Sequence, residues 1–177
     1  LIDAEGGPEP CSKPFTPDQD LDGGYHGTGN DNEWGHRYAT TLGRLMDTDF
    51  QVVPKNYDRA VLTEYAGGKT GISHVSVHDF WIALRSAFPN AEFKIRHQIG
   101  MDGDMLPPRA AIRWSMDGTQ DGWGAFGAPT GAQVHIMGIA HAEYGPYGEE
   151  GFSIRRECVL YDEVAIWKQI LMQSGDF

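Results

Sequence analysis

The residues best placed to do chemistry lie near the end of the chain, in Ile154-Arg155-Arg156-Glu157-Cys158-Val159-Leu160-Tyr161-Asp162. A strand of period 2 puts Arg155, Glu157, Val159 and Tyr161 on one face. If that face lines a pocket, Glu157 is a carboxylate among Val and Tyr, and desolvation lifts its pKa toward the range of a general acid or base. The other reading pairs Glu157 with Arg155, Arg156 or Arg113, which keeps it ionised and structural. Both stand at this level.

Other constellations read more plainly. Asp18-x-Asp20-x-Asp22-Gly23 matches the opening of a calcium loop, but the closing position is Gly29 and no helices flank it, so it reads as a solvated acidic arm. His74-x-x-x-His78 has the spacing that puts two imidazoles on one helical face, yet no third ligand accompanies it and no metal is expected. His97, His135 and His141 fall in strands, where a single histidine is more often a structural hydrogen-bonder. Cys11 and Cys158 make neither a disulfide framework nor a metal site and read as free thiols in a reducing, cytoplasmic setting.

The elements that must position these groups follow from periodicity. Tyr38, Leu42, Leu45 and Met46 recur at helical spacing, a helical turn precedes Pro54, and Ala60 to Tyr65 reads as a strand stopped by Gly67-Gly68. Ser76-x-x-Asp79 resembles a capping box opening a helix that carries Phe80, Leu84 and Phe88 and ends at Pro89. Strands follow at Ala91 to Ile99, Ala110 to Met116, Gln133 to Glu143 and Ser153 to Tyr161, with a turn at Asp102-Gly103. Asp162 then caps a last helix carrying Ile166, Trp167 and Ile170. The glycines and Pro129 between Gly118 and Gly131 read as turn punctuation, since no phosphate-binding pattern stands there. Helices first and antiparallel strands after is an α+β order.

Composition bounds the function. A chain of 177 residues with 40% hydrophobic content can build one core. The 14 Lys and Arg against 25 Asp and Glu, a net charge of −11, exclude the clustered cations of a nucleic-acid surface. No apolar run approaches the roughly 20 residues of a membrane helix, and the N-terminus lacks a signal-peptide pattern. The chain begins at Leu1 and not at Met, which reads as a processed product or a fragment.

The Gly-rich crossing Gly118-Thr119-Gln120-Asp121-Gly122 through Gly127-Ala128-Pro129-Thr130-Gly131, preceded by Phe80-Trp81, Leu84-Arg85 and Ala87-Phe88-Pro89, resembles the SnoaL-like polyketide cyclases of the nuclear transport factor two and ketosteroid isomerase superfamily. The likeness runs from about Trp34 to Leu171. It implies a flexible arm over 1–32 and, over 33–177, a cone-shaped α+β barrel whose helices pack on a curved, mostly antiparallel sheet around an apolar ligand pocket. Two positions depart from the pattern, Gln120 for the family's His and Ala128 for the first of its paired prolines. The family's acid/base Asp aligns with Val159, and its active-site His with Ala140, beside His141.

The resemblance thus implies a cofactor-independent acid/base enzyme, of cyclase, isomerase or lyase type, acting on a small apolar carbonyl or polyketide-like compound. Glu157 is expected to move the proton, with Gln120, His141 or Tyr161 holding a developing oxyanion. Trp81, Trp114 and Phe126 are expected pocket walls, with Tyr161 among the substrate contacts. The alternative is a non-catalytic binding or dimerisation domain of the same fold. A small apolar molecule and a second copy of the chain are the expected partners, with neither nucleic acid nor membrane.

Overall fold

A computed structural model describes residues 33–103, 106–148 and 151–175. The acidic Asp18–Asp22 stretch, Cys11 and the whole of the expected arm lie outside the described residues. Helix α1 spans Glu33–Met46 and the short α2 Val52–Asn56; strands β1 (Tyr57–Tyr65) and β2 (Lys69–Ile72) precede helix α3 (His74–Ala87). Strands β3 (Glu92–Gly103), β4 (Leu106–Thr119), β5 (Gln133–Gly148) and β6 (Gly151–Tyr161) follow, and helix α4 (Glu163–Ser174) closes the described chain.

The six strands form one curved sheet in the order β2-β1-β6-β5-β4-β3. Every neighbouring pair is antiparallel except β1 with β6, which is parallel. Among the described residues four helices pack on this sheet, giving the α+β class that the order of elements predicts and the cone that the resemblance implies. Within β5 the period-2 rule holds closely: Val134, Ile136, Ala140 and Ala142 are buried, while His135, Met137 and Ile139 are exposed. Gly138 continues the inner row because Trp114 lies against it; a Cβ there would sit 2.2 Å from the Trp114 ring.

The helices meet the expectations with local adjustments. Tyr38, Leu42, Leu45 and Met46 bury the inner stripe of α1. Helix α2 begins before Pro54 and runs through it, since a proline in the first turn removes no intrahelical donor. Helix α3 starts at His74, two residues before the expected cap, so Ser76 sits inside the first turn and its Oγ donates to Ser73 O at 2.8 Å. At α4 the cap is as expected: Asp162 accepts from Ala165 N at 2.9 Å.

Two devices complete the frame. The Gly-rich crossing lies against the C-terminal turn of α3, where Ala125 N donates to Ala83 O (2.9 Å) and Gly122 N to Ala87 O (3.3 Å). A Cβ at Gly122 would lie 1.8 Å from Ser86 O, so close backbone approach, more than turn geometry, requires glycine there. On the other side, β5 extends past the end of β6, whose last partner is Gly138. There Gln169 and Gln173, one turn apart on α4, each give and take a hydrogen bond with the main chain of His135 and Gln133 at 2.7–3.0 Å, replacing a missing strand.

Candidate active site

The parallel pairing of β1 with β6 sets Thr63 opposite Glu157 and Tyr65 opposite Val159. Alternation along β1 turns Tyr57, Val61, Thr63 and Tyr65 inward. Glu157, fully buried at 0% exposure, therefore faces two tyrosines of the adjacent strand. Tyr38 reaches it from α1 and Trp81 from α3.

Four neutral donors meet the carboxylate. Tyr38 and Tyr57 donate to Oε1 at 2.8 and 2.7 Å, and Tyr65 donates to Oε2 at 2.5 Å with Trp81 Nε1 at 3.3 Å. The arginine pairing does not form. Arg156 donates to Glu64 at 3.0 Å on the outer face, and Arg155 is exposed. The register between β5 and β6 shifts there, with Glu143 opposite Arg156 and Tyr144 opposite Ile154, so Arg155 is the extra residue of a bulge. That bulge corrects the period-2 expectation that put Arg155 on the face of Glu157.

Burial raises the Glu157 carboxyl above the ordinary range, and the hydrogen bonds from Tyr65, Tyr57, Tyr38 and Trp81 pull against it. Burial likewise drives Tyr38, Tyr57 and Tyr65 well above their ordinary value, with the charge of Glu157 adding to it. These tyrosines are therefore held as neutral donors.

A cavity of about 340 Å³ opens beside the cluster. Tyr65, Phe80 and Tyr161 form its aromatic wall, with Phe80 stacked on Tyr65 at 3.9 Å between ring centroids. Thr70, Lys69 and Asp79 line it as well. A larger, more open groove of about 480 Å³, lined by Asp47, Thr48, Phe50, Ile82 and Arg85, shares no residue with the Glu157 cluster. The smaller cavity is the one that meets the chemistry.

Of the residues expected at the site, Glu157, Trp81 and Tyr161 fall at the cluster or its cavity. Trp114 and Phe126 are buried core around Tyr161, at 6.3 and 6.4 Å between ring centroids. Gln120 is fully buried but used up in the crossing: its Nε2 donates to Ala128 O and Phe126 O, and its Oε1 accepts from Thr130 N and Oγ1. Holding the loop leaves Gln120 no donor for an oxyanion. His141 lies on the outer face, between Ala111 and Cys158, while its neighbour Ala142 is opposite Glu157. It does not meet Glu157, and burial lowers its pKa.

Three further histidines have structural partners. His74 Nε2 donates to Tyr57 O at 2.9 Å, His78 packs on Phe50, and His135 pairs with Asp117 at 2.5 Å. Among the described residues no group of three or more His, Cys, Asp and Glu is gathered for a metal ion. Nor is any helix among them long and apolar enough to cross a membrane.

Tyr38, Tyr57 and Tyr65 are the residues that reading the sequence missed. Tyr65 has a signal, being one residue in period with Thr63 on an expected strand. Tyr38 reads as one more member of an apolar helical stripe, and Tyr57 precedes the expected strand.

No protein-family model matches the sequence, and no curated protein does. Solved structures do match. A SnoaL-like polyketide cyclase, so named, from Jannaschia sp. CCS1 is 16% identical, with 79% of this chain and 95% of that one covered and a TM-score of 0.62. IdmH, named as a polyketide cyclase, from Streptomyces antibioticus is 14% identical over 78% and 98%, at 0.61. AclR, named as a hydroxylase, from Streptomyces galilaeus is 12% identical over 81% and 83%, at 0.54. At such identities the likeness is one of fold, and the fold of this chain is that of the SnoaL-like polyketide cyclases.

Proposed function

We propose that this protein is a cofactor-independent acid/base enzyme, of cyclase, isomerase or lyase type, acting on a small apolar carbonyl compound. The observation that carries the reading is Glu157: a fully buried carboxyl with four neutral partners, one of which, Tyr65, lines an aromatic-walled cavity. A purely structural carboxylate is usually paired with a cation, whereas a proton-exchanging one needs both its forms within reach. Neighbours of this fold named as polyketide cyclases agree with a carbonyl substrate.

The test is deuterium exchange into 2-tetralone, a bicyclic ketone, followed by proton NMR in heavy water. Exchange beside the carbonyl should exceed the buffer rate and fall about a hundredfold or more in Glu157→Gln. Binding without exchange leaves the non-catalytic ligand-binding reading, and an absence of binding removes the apolar carbonyl ligand altogether.

A homodimer accompanies this reading. Met137, Ile139 and Leu160 stand 68%, 58% and 65% exposed on the outer face of the sheet, with Ile139 directly opposite Leu160. Ile139→Glu should move the sedimentation coefficient to that of a monomer; a wild-type monomer would refute the pairing.

A further inference from the structure

We propose that Tyr65 is the group that meets the ligand, donating its hydroxyl to a carbonyl or enol oxygen in the cavity, and that Glu157 acts only through Tyr65. The inference deepens the acid/base reading above and rests on it. Its ground is an asymmetry among the four donors. Tyr38 and Tyr57 are buried at 0% and 2% exposure, whereas Tyr65 lines the cavity. Trp81 Nε1–H can only donate.

The hydrogen-bond arithmetic then allows one economical protonated state. With Glu157 ionised, all four donors point at its oxygens. A proton added at Oε1 would turn the Tyr38 or Tyr57 hydroxyl away into a closed core and orphan it, at a cost of about 1–3 kcal/mol. A proton added at Oε2 toward Tyr65, the shortest contact, leaves Oε1 accepting from both buried tyrosines and Trp81 undisturbed. It also frees the Tyr65 hydrogen, which finds a partner in the cavity. Protonation of Glu157 thus turns Tyr65 from a donor to the core into a donor to the ligand.

The transfer balances without a co-reactant. The Glu157 Oε2–H bond breaks as Tyr65 Oη takes that proton, and Tyr65 gives its own hydrogen to an enolate oxygen. The products are a carboxylate and a neutral enol. Reversal carries a proton from the ligand to Glu157.

The groups facing this pair are Tyr38 from α1, Tyr57 from β1, Trp81 and Asp79 from α3, Lys69 from β2, Tyr144 from β5 and Tyr161 from β6. Asp79 and Lys69 are charged groups that line the cavity itself.

The test compares 2-tetralone, labelled with carbon-13 at the carbonyl, with tetralin, which lacks the oxygen. The full chain should bind the ketone about threefold to tenfold more tightly than the hydrocarbon, and its carbonyl infrared band should move to lower frequency. Both effects should fade as pH rises and Glu157 ionises, in wild type and in Asp79→Asn alike. Tyr65→Phe should bind the two ligands equally, with an unshifted, pH-independent band. Equal binding of both ligands to wild type, or a band that stays shifted in Tyr65→Phe, overturns the role of Tyr65 while leaving Glu157-dependent exchange in place. If neither ligand binds, the acid/base reading itself falls. The wild-type pH series decides the matter even if Tyr65→Phe does not fold.

Discussion

Strands β1 and β6 place two carboxylates back to back, and the two faces treat them oppositely. Thr63 is opposite Glu157 on the inside; one residue on, Glu64 is opposite Cys158 on the outside. Glu64 accepts from the Cys158 thiol at 3.1 Å and from Arg156 at 3.0 Å, and these bonds hold its pKa below the ordinary range. Glu157 has no such cation among its partners, and burial moves it the other way. The thiol on the outer face is pushed up to about 11 by burial and by Glu64. Residue type alone therefore says little; solvation and the charge of the partner decide what a carboxylate does.

The sharpest way to break this contrast is to delete each carboxylate. Glu157→Ala strands three tyrosine hydroxyls and an indole N–H around a new void, and should lower unfolding stability by at least about 3 kcal/mol in urea titration. Glu64→Gln, in solvent, should leave the midpoint within error. Equal losses at both positions would mean that the inner cluster contributes nothing special. Glu157→Gln is not a gentle substitute, because its amide NH2 must face either two buried hydroxyls or the Trp81 N–H.

The inner face should also be intolerant of volume where the outer face is not. Gly138→Ala drives a methyl group into the Trp114 ring, which is itself packed against Trp81, Phe93 and Tyr161. A loss of about 2–3 kcal/mol is expected, with altered tryptophan fluorescence. Leu62→Ala, on the exposed outer face of β1, should change either readout little.

Acid and base then separate the two carboxylates by sign. Glu157 has a raised native pKa, so the native state holds its proton where the unfolded chain has lost it. Its contribution is present below the ordinary value of 4.5 and is lost as pH rises through the raised native value. Glu64, lowered, contributes above 4.5 and loses that contribution as pH falls through its native value. The stability gap between wild type and Glu157→Ala should therefore narrow above about pH 4.5, as wild type loses its advantage with rising pH. Parallel curves would mean that the native and unfolded chains hold the Glu157 proton equally tightly, with no raised native value.

Much of this frame was legible in the sequence for a simple reason: period-2 and helical spacings are local. The inner row of β5, the stripe of α1 and the Asp162 cap all follow from neighbours a few residues apart. Glu157 on an inner face was legible in the same way. The company it keeps was not, because Tyr38, Tyr57, Tyr65 and Trp81 reach it only through the parallel β1–β6 pairing and two helices, across 76 to 119 residues of chain. Strand β2 was hidden by its four-residue length, and the bulge at Arg155 by the absence of any local mark. His141 illustrates the cost: beside an aligned position in sequence, it is turned to the opposite face by the register of β5.

The smallest expected effect tests whether the tyrosines of the core are interchangeable. Tyr144, like Tyr57, is a buried tyrosine of the sheet, but its hydroxyl has no hydrogen-bond partner among the described residues. Tyr57→Phe removes a 2.7 Å bond to a carboxyl and should cost about 1.5–3 kcal/mol. Tyr144→Phe removes no hydrogen bond within the described residues and keeps the ring that packs on Trp34 and under the Arg37 guanidinium. Its stability should stay within about 0.5 kcal/mol of wild type, or rise slightly, since burying a bare hydroxyl is unfavourable. A loss as large as that of Tyr57→Phe would place Tyr144 inside the Glu157 network and extend the cluster from four donors to five.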